Sequence, residues 1–190
     1  MDPTRIREVL SARIRAPKDK PALSNLLYGA PPLLGSQVAS QSIVDFLAGV
    51  PALQSFSKKE LGYLSLFLHE RSFGNGEVIF EQGTPASAFY LIRSGNVELT
   101  RRINGVEGAL ATLTPNELFG EIALLAEEAP RYIGARSKGA SELLALPRPD
   151  FDALMTKSPA VGVKLLRALT GIVAERFRLL LEVVEGGSEK

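Results

Sequence analysis

Two side chains of opposite charge frame a short glycine-containing stretch near the middle of the chain. The stretch reads Phe119-Gly120-Glu121-Ile122-Ala123-Leu124-Leu125, and Arg131 follows ten residues after Glu121. A glycine before a helical turn lets a ligand approach the backbone, and the unpaired N–H groups of Ile122 and Ala123 would attract an anion. Arg131 adds a permanently charged clamp for a phosphate, and Glu121 can accept a hydrogen bond from a ribose hydroxyl. The spacing therefore predicts a site for a nucleotide with a free 2′-hydroxyl.

The composition excludes several other kinds of site. The 190 residues include no cysteine and a single histidine, His69, so we expect no disulfide, no metal site and no histidine-based catalytic pair. A net charge of +1 provides no overall field that would attract nucleic acid. The G-x-S-x-G motif of serine hydrolases does not occur either. We therefore expect a binding protein without catalytic or metal-ligating residues, and not an enzyme.

The amino terminus gives no sign of export or membrane insertion. It lacks the hydrophobic segment of a secretory signal, and no apolar run approaches the roughly 20 residues of a membrane span. The absence of cysteine is consistent with a reducing compartment. From these features we expect a cytoplasmic protein.

The nucleotide site lies in a region with the pattern of a β-barrel or jelly roll. Short segments rich in Val, Ile, Phe and Tyr alternate with glycine-containing turns. Strands are predicted at 77–80, 89–92, 97–100, 109–113, 132–136 and 142–146, with a helical segment at 119–125. A capping box at Ser57 and Glu60 starts a helix that runs to about His69, which we interpret as a helix-end residue. A longer helix runs from Pro159 to about Glu185.

The chain divides into three predicted segments. Residues 1–49 form an N-terminal helical extension, residues 50–185 form the main domain including the long C-terminal helix, and residues 186–190 form a tail. In the extension, apolar residues recur at helical spacing after Asp2 and again after Ser36. This extension either packs on the main domain or docks on a partner or a membrane surface.

The apolar residues of the long C-terminal helix form two stripes. The first has the spacing of a coiled-coil seam, with Arg176 in a skipped position, and comprises Leu165, Leu169, Ile172, Leu179 and Val183. The second comprises Leu166, Thr170, Val173, Phe177 and Leu180. We expect the second stripe to cover the domain's own pocket and the first to join a second copy as a homodimer. The alternative is a monomer in which the N-terminal helices cover the first stripe.

Taken together, these segments resemble the cyclic-nucleotide-binding domain family, which includes bacterial catabolite activators, kinase regulatory subunits and cyclic-nucleotide-gated channels. The resemblance rests on residues 119–125 with Pro130-Arg131, and on residues 76–83, 88–97 and 144–147. It covers about residues 50–181, in order and with the expected spacing. It implies a mainly β fold with flanking helices, an eight-stranded double-stranded β-helix (jelly roll), and a last helix that covers the pocket.

The resemblance also implies roles for individual residues. Glu121 would bind the ribose 2′-hydroxyl and Arg131 the cyclic phosphate of cAMP or cGMP. The backbone contacts would come from Gly120, Ile122 and Ala123. Tyr132 departs from the family pattern, which usually has a small residue there. Its phenol either donates to the phosphate, or its ring fills the space that the nucleotide needs.

Other features leave the details of this site open. Gly134 removes a hydroxyl that in relatives can contact the base, and the choice between cAMP and cGMP stays undetermined. The sequence has no tryptophan, so Phe177 or the leucines of the last helix would cap the purine. Glu121 and Arg131 could instead form a simple ion pair with each other or with neighbours.

Two functions follow from the resemblance. The first is a stand-alone cyclic-nucleotide sensor that signals through a protein partner or its own dimer. Only five residues follow Glu185, so we expect no helix-turn-helix domain and no DNA partner. The alternative is a degenerate domain, with a pocket occluded by Tyr132, that acts as an interaction or scaffold protein. The direction of the Tyr132 side chain discriminates between them.

Overall fold

The structure is a computed structural model that describes residues 41–186. The first predicted helix of the extension and the tail after residue 186 lie outside the described residues. The helices are α1 (Gln41–Ala48), α2 (Lys58–Ser65), α3 (Ile122–Leu125), α4 (Arg148–Lys157) and α5 (Pro159–Gly186), with a short 3-10 helix at Pro51–Leu53. The strands are β1 (His69–Phe73), β2 (Val78–Phe80), β3 (Ala88–Ile103), β4 (Val106–Leu113), β5 (Leu118–Phe119) and β6 (Gly134–Pro147).

The strands form one antiparallel sheet in which the long strands β3 and β6 lie at the centre. The hydrogen-bonded order is β1-β6-β3-β4, and β2 pairs with β6 while β5 pairs with β3. The register of β3 and β6 shifts between Ile92 and Asn96, and this bend divides each long strand into two arms. The sheet therefore has six strands where the resemblance implies eight, and the pairing of the two longest strands is interrupted by this shift. The predicted class, mainly β with flanking helices, is confirmed.

The bend depends on a glycine at the point where the two long strands meet. Gly95 has φ +76°, and a Cβ there would lie 2.2 Å from the carbonyl oxygen of Ala140 in β6. No side chain fits at that distance, and the positive φ also favours glycine. The predicted strand segments 89–92 and 97–100 are thus two arms of β3, and 132–136 and 142–146 are covered largely by β6.

Helix α1 corresponds to the predicted second helix of the N-terminal extension. Its residues Ile43, Val44 and Leu47 are buried in the same core cluster as Leu61 and Leu64 of α2. The packing is therefore continuous across residue 50, where the sequence predicts the boundary between the extension and the main domain.

The sequence prediction for His69 is wrong. Helix α2 ends at Ser65, and His69 begins β1, where it pairs with Ala145 of β6. Its Nε2 lies 2.8 Å from Oδ2 of Asp150 in the first turn of α4. The apolar residues after Ser65 continue the helical spacing of α2, so only the pairing with β6 reveals the strand.

The predicted division of α5 into two stripes is also wrong. Leu165 and Leu169, which the sequence assigns to a partner, are buried in the domain's own core. Phe177, which the sequence places over the pocket, is 59% exposed. The side chains of Leu180 and Val183 lie outside those that the structure describes.

A close approach between α4 and α5 explains which side of α5 faces the domain. A Cβ on Gly162 would lie 2.2 Å from Sδ of Met155 in α4, so the helices touch at this glycine. Positions 165, 169, 172 and 176 follow Gly162 at helical spacing and therefore face the domain too. Although α5 has 28 residues, neither it nor another helix in the described range is long and apolar enough to cross a membrane.

Candidate functional site

The predicted glycine turn lies at the end of β5, against the start of β3. Phe119 pairs with Tyr90 of β3, and their rings stack with centroids 5.2 Å apart. Gly120 follows with φ +75°, and a Cβ there would lie 2.7 Å from Nη1 of Arg131 and 3.1 Å from the carbonyl oxygen of Ala88. A glycine is therefore required at position 120 for both the backbone conformation and the approach of Arg131.

Arg131 is 5% exposed and lies directly behind this turn. Its Nη1 donates to the carbonyl oxygen of Gly120 at 3.1 Å, and its Nη2 donates to that of Ala88 at 2.5 Å. The guanidinium carbon lies 3.9 Å from the centroid of the Phe80 ring, in a cation–π contact. The structure thus brings two of the predicted site residues, Arg131 and Gly120, into contact, and it adds Phe80, which the sequence identifies only as a strand residue.

Glu121 is 9% exposed, and its ion-pair partner is Arg176 rather than Arg131. Nη1 of Arg176 donates to Oε1 of Glu121 at 2.8 Å, and Nη2 donates to the carbonyl oxygen of Leu118 at 2.7 Å. Sequence reasoning missed this role and placed Arg176 in a dimer seam. Arg176 is a charged residue within the apolar stripe that faces the core, and this position was the sequence signal that could have identified its role.

The helical turn after Glu121 is short and is held at both ends. The N–H of Ala123 donates to the carbonyl oxygen of Gly120 at 3.1 Å, so one of the two predicted backbone donors is engaged within the turn. Ile122 begins α3, which has four residues. At the other end, Nη1 of Arg148 in α4 donates to the carbonyl oxygens of Ala123 and Ala126 at 3.3 and 3.4 Å. Arg148 thereby connects α3 to α4.

Tyr132 does not fill the site. The residue is 58% exposed, although its neighbour Arg131 is buried. The structure therefore does not favour the alternative in which the tyrosine ring occludes the pocket.

Gly134, the second departure from the family pattern, has a steric explanation. A Cβ at position 134 would lie 2.6 Å from Oγ1 of Thr100, its pairing partner in β3. A larger residue at position 134 would therefore displace the threonine hydroxyl.

A cavity of about 140 Å³ lies among β2, β3, β4 and β6. Its walls are formed by Val78, Phe80, Glu81, Gln82, Thr100, Arg102, Glu107, Gly134, Ala135 and Arg136. None of the six residues that the sequence predicts for the site lines it. Phe80 belongs to the cavity wall and also contacts Arg131, so one aromatic ring connects the two places.

Comparison with known proteins identifies the same family as the sequence resemblance. The model of the cyclic nucleotide-binding domain family matches residues 70–158. The cyclic AMP receptor protein of Thermus thermophilus is 36% identical over 133 residues, which are 70% of this chain and 59% of that protein. The chain thus spans less than two thirds of the length of this relative.

Solved structures of proteins with similar sequences also share the fold of this chain. The crystal structure of the catabolite activator protein of Thermus thermophilus superposes with a TM-score of 0.62 at 34% identity, covering 71% of this chain and 63% of that one. The regulatory domain of Toxoplasma gondii PKA, crystallised with cAMP, gives a TM-score of 0.58 at 25% identity. That match covers 68% of this chain and 49% of the other.

Proposed function

Because the chain belongs, through residues 70–158, to the cyclic nucleotide-binding domain family, we propose that it is a sensor of cAMP or cGMP. The observation that carries this proposal is the close arrangement of Gly120, Glu121 and Arg131 around one turn, in which the charged side chains of Glu121 and Arg131 are both largely buried. An anion clamp beside a carboxylate acceptor is what a cyclic phosphate fused to a ribose requires.

In this proposal Arg131 binds the cyclic phosphate. A guanidinium is permanently charged and carries five N–H donors, and here Nη1 donates to the carbonyl oxygen of Gly120 and Nη2 to that of Ala88. The two carbonyl contacts and the stacked Phe80 ring hold the guanidinium in place, so little side-chain freedom is lost when the phosphate binds. The backbone N–H of Ile122, at the start of α3, and the turn at Gly120 provide the surrounding contacts.

Glu121 would bind the ribose. Oε1 of its carboxylate accepts from Arg176, so the second oxygen can accept from the 2′-hydroxyl while the pair persists. The ion pair fixes the rotamer of Glu121 and thus prepares it for the ligand. Binding at the turn is in this way linked to α5, the helix that carries Arg176.

The output would pass through α5 to a protein partner or a second copy of the chain. The surface available for this contact includes Val163, Phe177 and Leu181, which are exposed, and not the buried Leu165 and Leu169. Phe177→Glu should therefore reduce the mass measured by light scattering if α5 joins two copies. An unchanged dimeric mass would place the contact elsewhere, and a monomeric wild type would favour a partner protein.

A cytoplasmic location and the absence of catalysis stay predictions.

Calorimetric titration of the full chain tests the proposal directly. We expect saturable binding of cAMP or cGMP, and weaker binding of 5′-AMP, which lacks the cyclic phosphate. The 2′-deoxy form of the bound nucleotide should bind about 10- to 100-fold more weakly, because it lacks the hydroxyl that donates to a carboxylate. No saturation by either cyclic nucleotide at millimolar concentration would overturn the proposal.

A further inference from the structure

Arg148, the first residue of α4, contacts the carboxyl end of α3. Its Nη1 donates to the carbonyl oxygens of Ala123 and Ala126 at 3.3 and 3.4 Å. Its Nε lies 3.1 Å from Oδ1 of Asp152, and its Nη2 lies 3.7 Å from Oε1 of Glu127. One guanidinium therefore joins the end of α3 to two carboxylates, one of which belongs to α4.

Helix α3 needs support from outside because it is very short. It has four residues, whereas isolated helices shorter than about 12–15 residues are marginal in water. The carbonyl oxygen of Glu121, directly before α3, accepts from the N–H groups of Leu124 and Leu125 at 2.9 and 3.2 Å. The position of α3 therefore also determines the position of Glu121, and the contacts of Arg148 help to fix both.

The backbone of Arg148 is attached to the same stretch of chain as the Arg131 guanidinium. The N–H of Arg148 donates to the carbonyl oxygen of Ser87 at 2.9 Å. The next carbonyl oxygen, that of Ala88, accepts from Nη2 of Arg131. The two arginines are thus held by adjacent carbonyl groups around the start of β3. Since Arg148 also holds α3, it sets the separation between Glu121 and Arg131.

The loop that leaves α3 and leads to Arg131 is anchored at both ends. The contact of Arg148 with Ala126 anchors one end, and at the other end the backbone N–H of Ala86 donates to the loop at 2.9 Å. Between these anchors Glu128 has φ +52°, which is uncommon for residues other than glycine. Such a conformation persists only where the surrounding structure determines it. Loss of the first anchor would therefore let the loop relax.

We propose that Arg148 is a positioning residue for cyclic-nucleotide binding, and that it holds Glu121 and Arg131 at the separation that the ribose and the phosphate require. The inference rests on the proposed function, because it takes these two residues to bind the ligand. It deepens that function by assigning part of the affinity to a side chain of α4 outside the predicted site. A site held in its binding geometry beforehand loses less freedom on binding, so this contribution appears as affinity.

The experiment compares Arg148→Met with the control Arg93→Met by calorimetric titration of the full chain, at a temperature where both variants are folded. The two side chains are similarly exposed, at 28% and 29%. Arg93 pairs with Glu70 of β1 and donates to Ser42 of α1, so it also joins a helix to another element. Arg148→Met should bind cyclic nucleotide about three- to tenfold more weakly than wild type, whereas Arg93→Met should retain wild-type affinity.

Hydrogen exchange of the unliganded chain adds a local readout that a general loss of stability would not give. In Arg148→Met the N–H groups of Leu124, Leu125 and Ala126 should exchange faster than in wild type, because the end of α3 is released. In Arg93→Met their exchange should not change. Arg148→Lys keeps the charge but replaces the planar fork by a single ammonium, so it should fall between wild type and Arg148→Met in both measurements.

The outcomes separate this inference from the function on which it rests. Wild-type affinity in a folded Arg148→Met would overturn the positioning role alone, and so would unchanged exchange at α3 or an equal loss of affinity in Arg93→Met. No binding of either cyclic nucleotide to wild type would overturn the positioning role and the proposed function together. If Arg148→Met does not fold, Arg148→Lys decides the matter. Wild-type affinity or unchanged exchange in that variant would overturn the positioning role, and a change in both would support it.

Discussion

Arg176 in α5 holds Glu121 and the carbonyl oxygen of Leu118 with two hydrogen bonds of 2.8 and 2.7 Å. The two acceptors lie on either side of the Phe119-Gly120 turn, so one guanidinium spans the whole turn from the C-terminal helix. The Arg176 side chain is 39% exposed and that of Glu121 is 12% exposed, which makes the pair partly buried. Movement of α5 and movement of the turn are therefore coupled through this side chain.

Replacing Arg176 with methionine should weaken cyclic-nucleotide binding. Methionine retains much of the side chain's apolar volume but removes the charge that fixes the Glu121 carboxylate. Because Arg176 is more than a third exposed, solvent screens the pair, and we expect a loss of about 0.5–1 kcal/mol, or roughly two- to fivefold in affinity. Calorimetric titration measures the affinity, and hydrogen exchange over residues 170–181 should become faster.

The matched control is Arg178→Met. Arg178 lies two positions along the same helix and pairs with Glu175, one turn back. It should change neither affinity nor exchange at the turn. Equal effects of the two substitutions would show that Arg176 acts only through the general charge of α5.

Gly120→Ala should destabilise the fold and abolish binding. The alanine would have to adopt φ +75° and would place its Cβ 2.7 Å from Nη1 of Arg131. Strained backbone of this kind costs about 1–3 kcal/mol, and displacement of Arg131 adds to it. Thermal unfolding measures the first effect and titration with cyclic nucleotide the second.

Gly139→Ala separates strain from steric conflict. Gly139 has φ +88°, but a Cβ there would meet nothing within 4 Å. This variant should lose stability through strain alone and bind nucleotide as wild type does. A loss of binding equal to that of Gly120→Ala would contradict the steric role of Gly120.

Local patterns predicted the elements of the fold well. The capping box at Ser57 and Glu60 is present, with the Ser57 N–H 2.8 Å from the glutamate and the Glu60 N–H 3.3 Å from the serine hydroxyl. Such a motif depends on neighbours within one turn, so a sequence displays it directly. Most strands were also readable, because segments rich in Val, Ile, Phe and Tyr alternate with glycine-containing turns along the chain, but β1 was missed.

Features that depend on distant contacts were not predictable. The sequence grouped Glu121 and Arg131 with Gly120 in one predicted site, but it did not identify the partners that the two side chains have in the structure. Arg176 lies 55 positions from Glu121, and the close approach at Gly162 decides which face of α5 it occupies.

Substitutions of Tyr132 should have little effect. The residue is 58% exposed, so Tyr132→Ala and Tyr132→Phe should change the free energy of unfolding by less than about 0.5 kcal/mol. Affinity for the cyclic nucleotide should stay within about twofold of wild type for the same reason. Stronger binding by Tyr132→Ala would restore the occlusion hypothesis, and weaker binding by Tyr132→Phe alone would show that the phenol contacts the phosphate.

Glu60 should make the stability of the domain depend on pH in the acid range. Its carboxylate lies 2.7 Å from Nζ of Lys164 in α5 and accepts hydrogen bonds from the N–H and hydroxyl of Ser57. The hydrogen bond from Lys164, followed by those from Ser57, lowers the pKa of Glu60 from 4.5 to about 2. Because the folded chain holds this proton less tightly than the unfolded chain, the stabilisation is complete above pH 4.5 and is lost as the pH falls towards 2.

The comparison of wild type with Glu60→Gln therefore isolates this carboxylate from the others that titrate in the same range. Glutamine keeps the shape but cannot ionise, so the Tm of wild type should fall more steeply than that of the variant between pH 4.5 and 2. The difference between the two curves should be largest above pH 4.5 and should shrink as Glu60 gains its proton. Lys164→Met should reduce the slope, because it removes the largest cause of the shift. Parallel curves for wild type and Glu60→Gln would show that the contact between α2 and α5 does not depend on this charge.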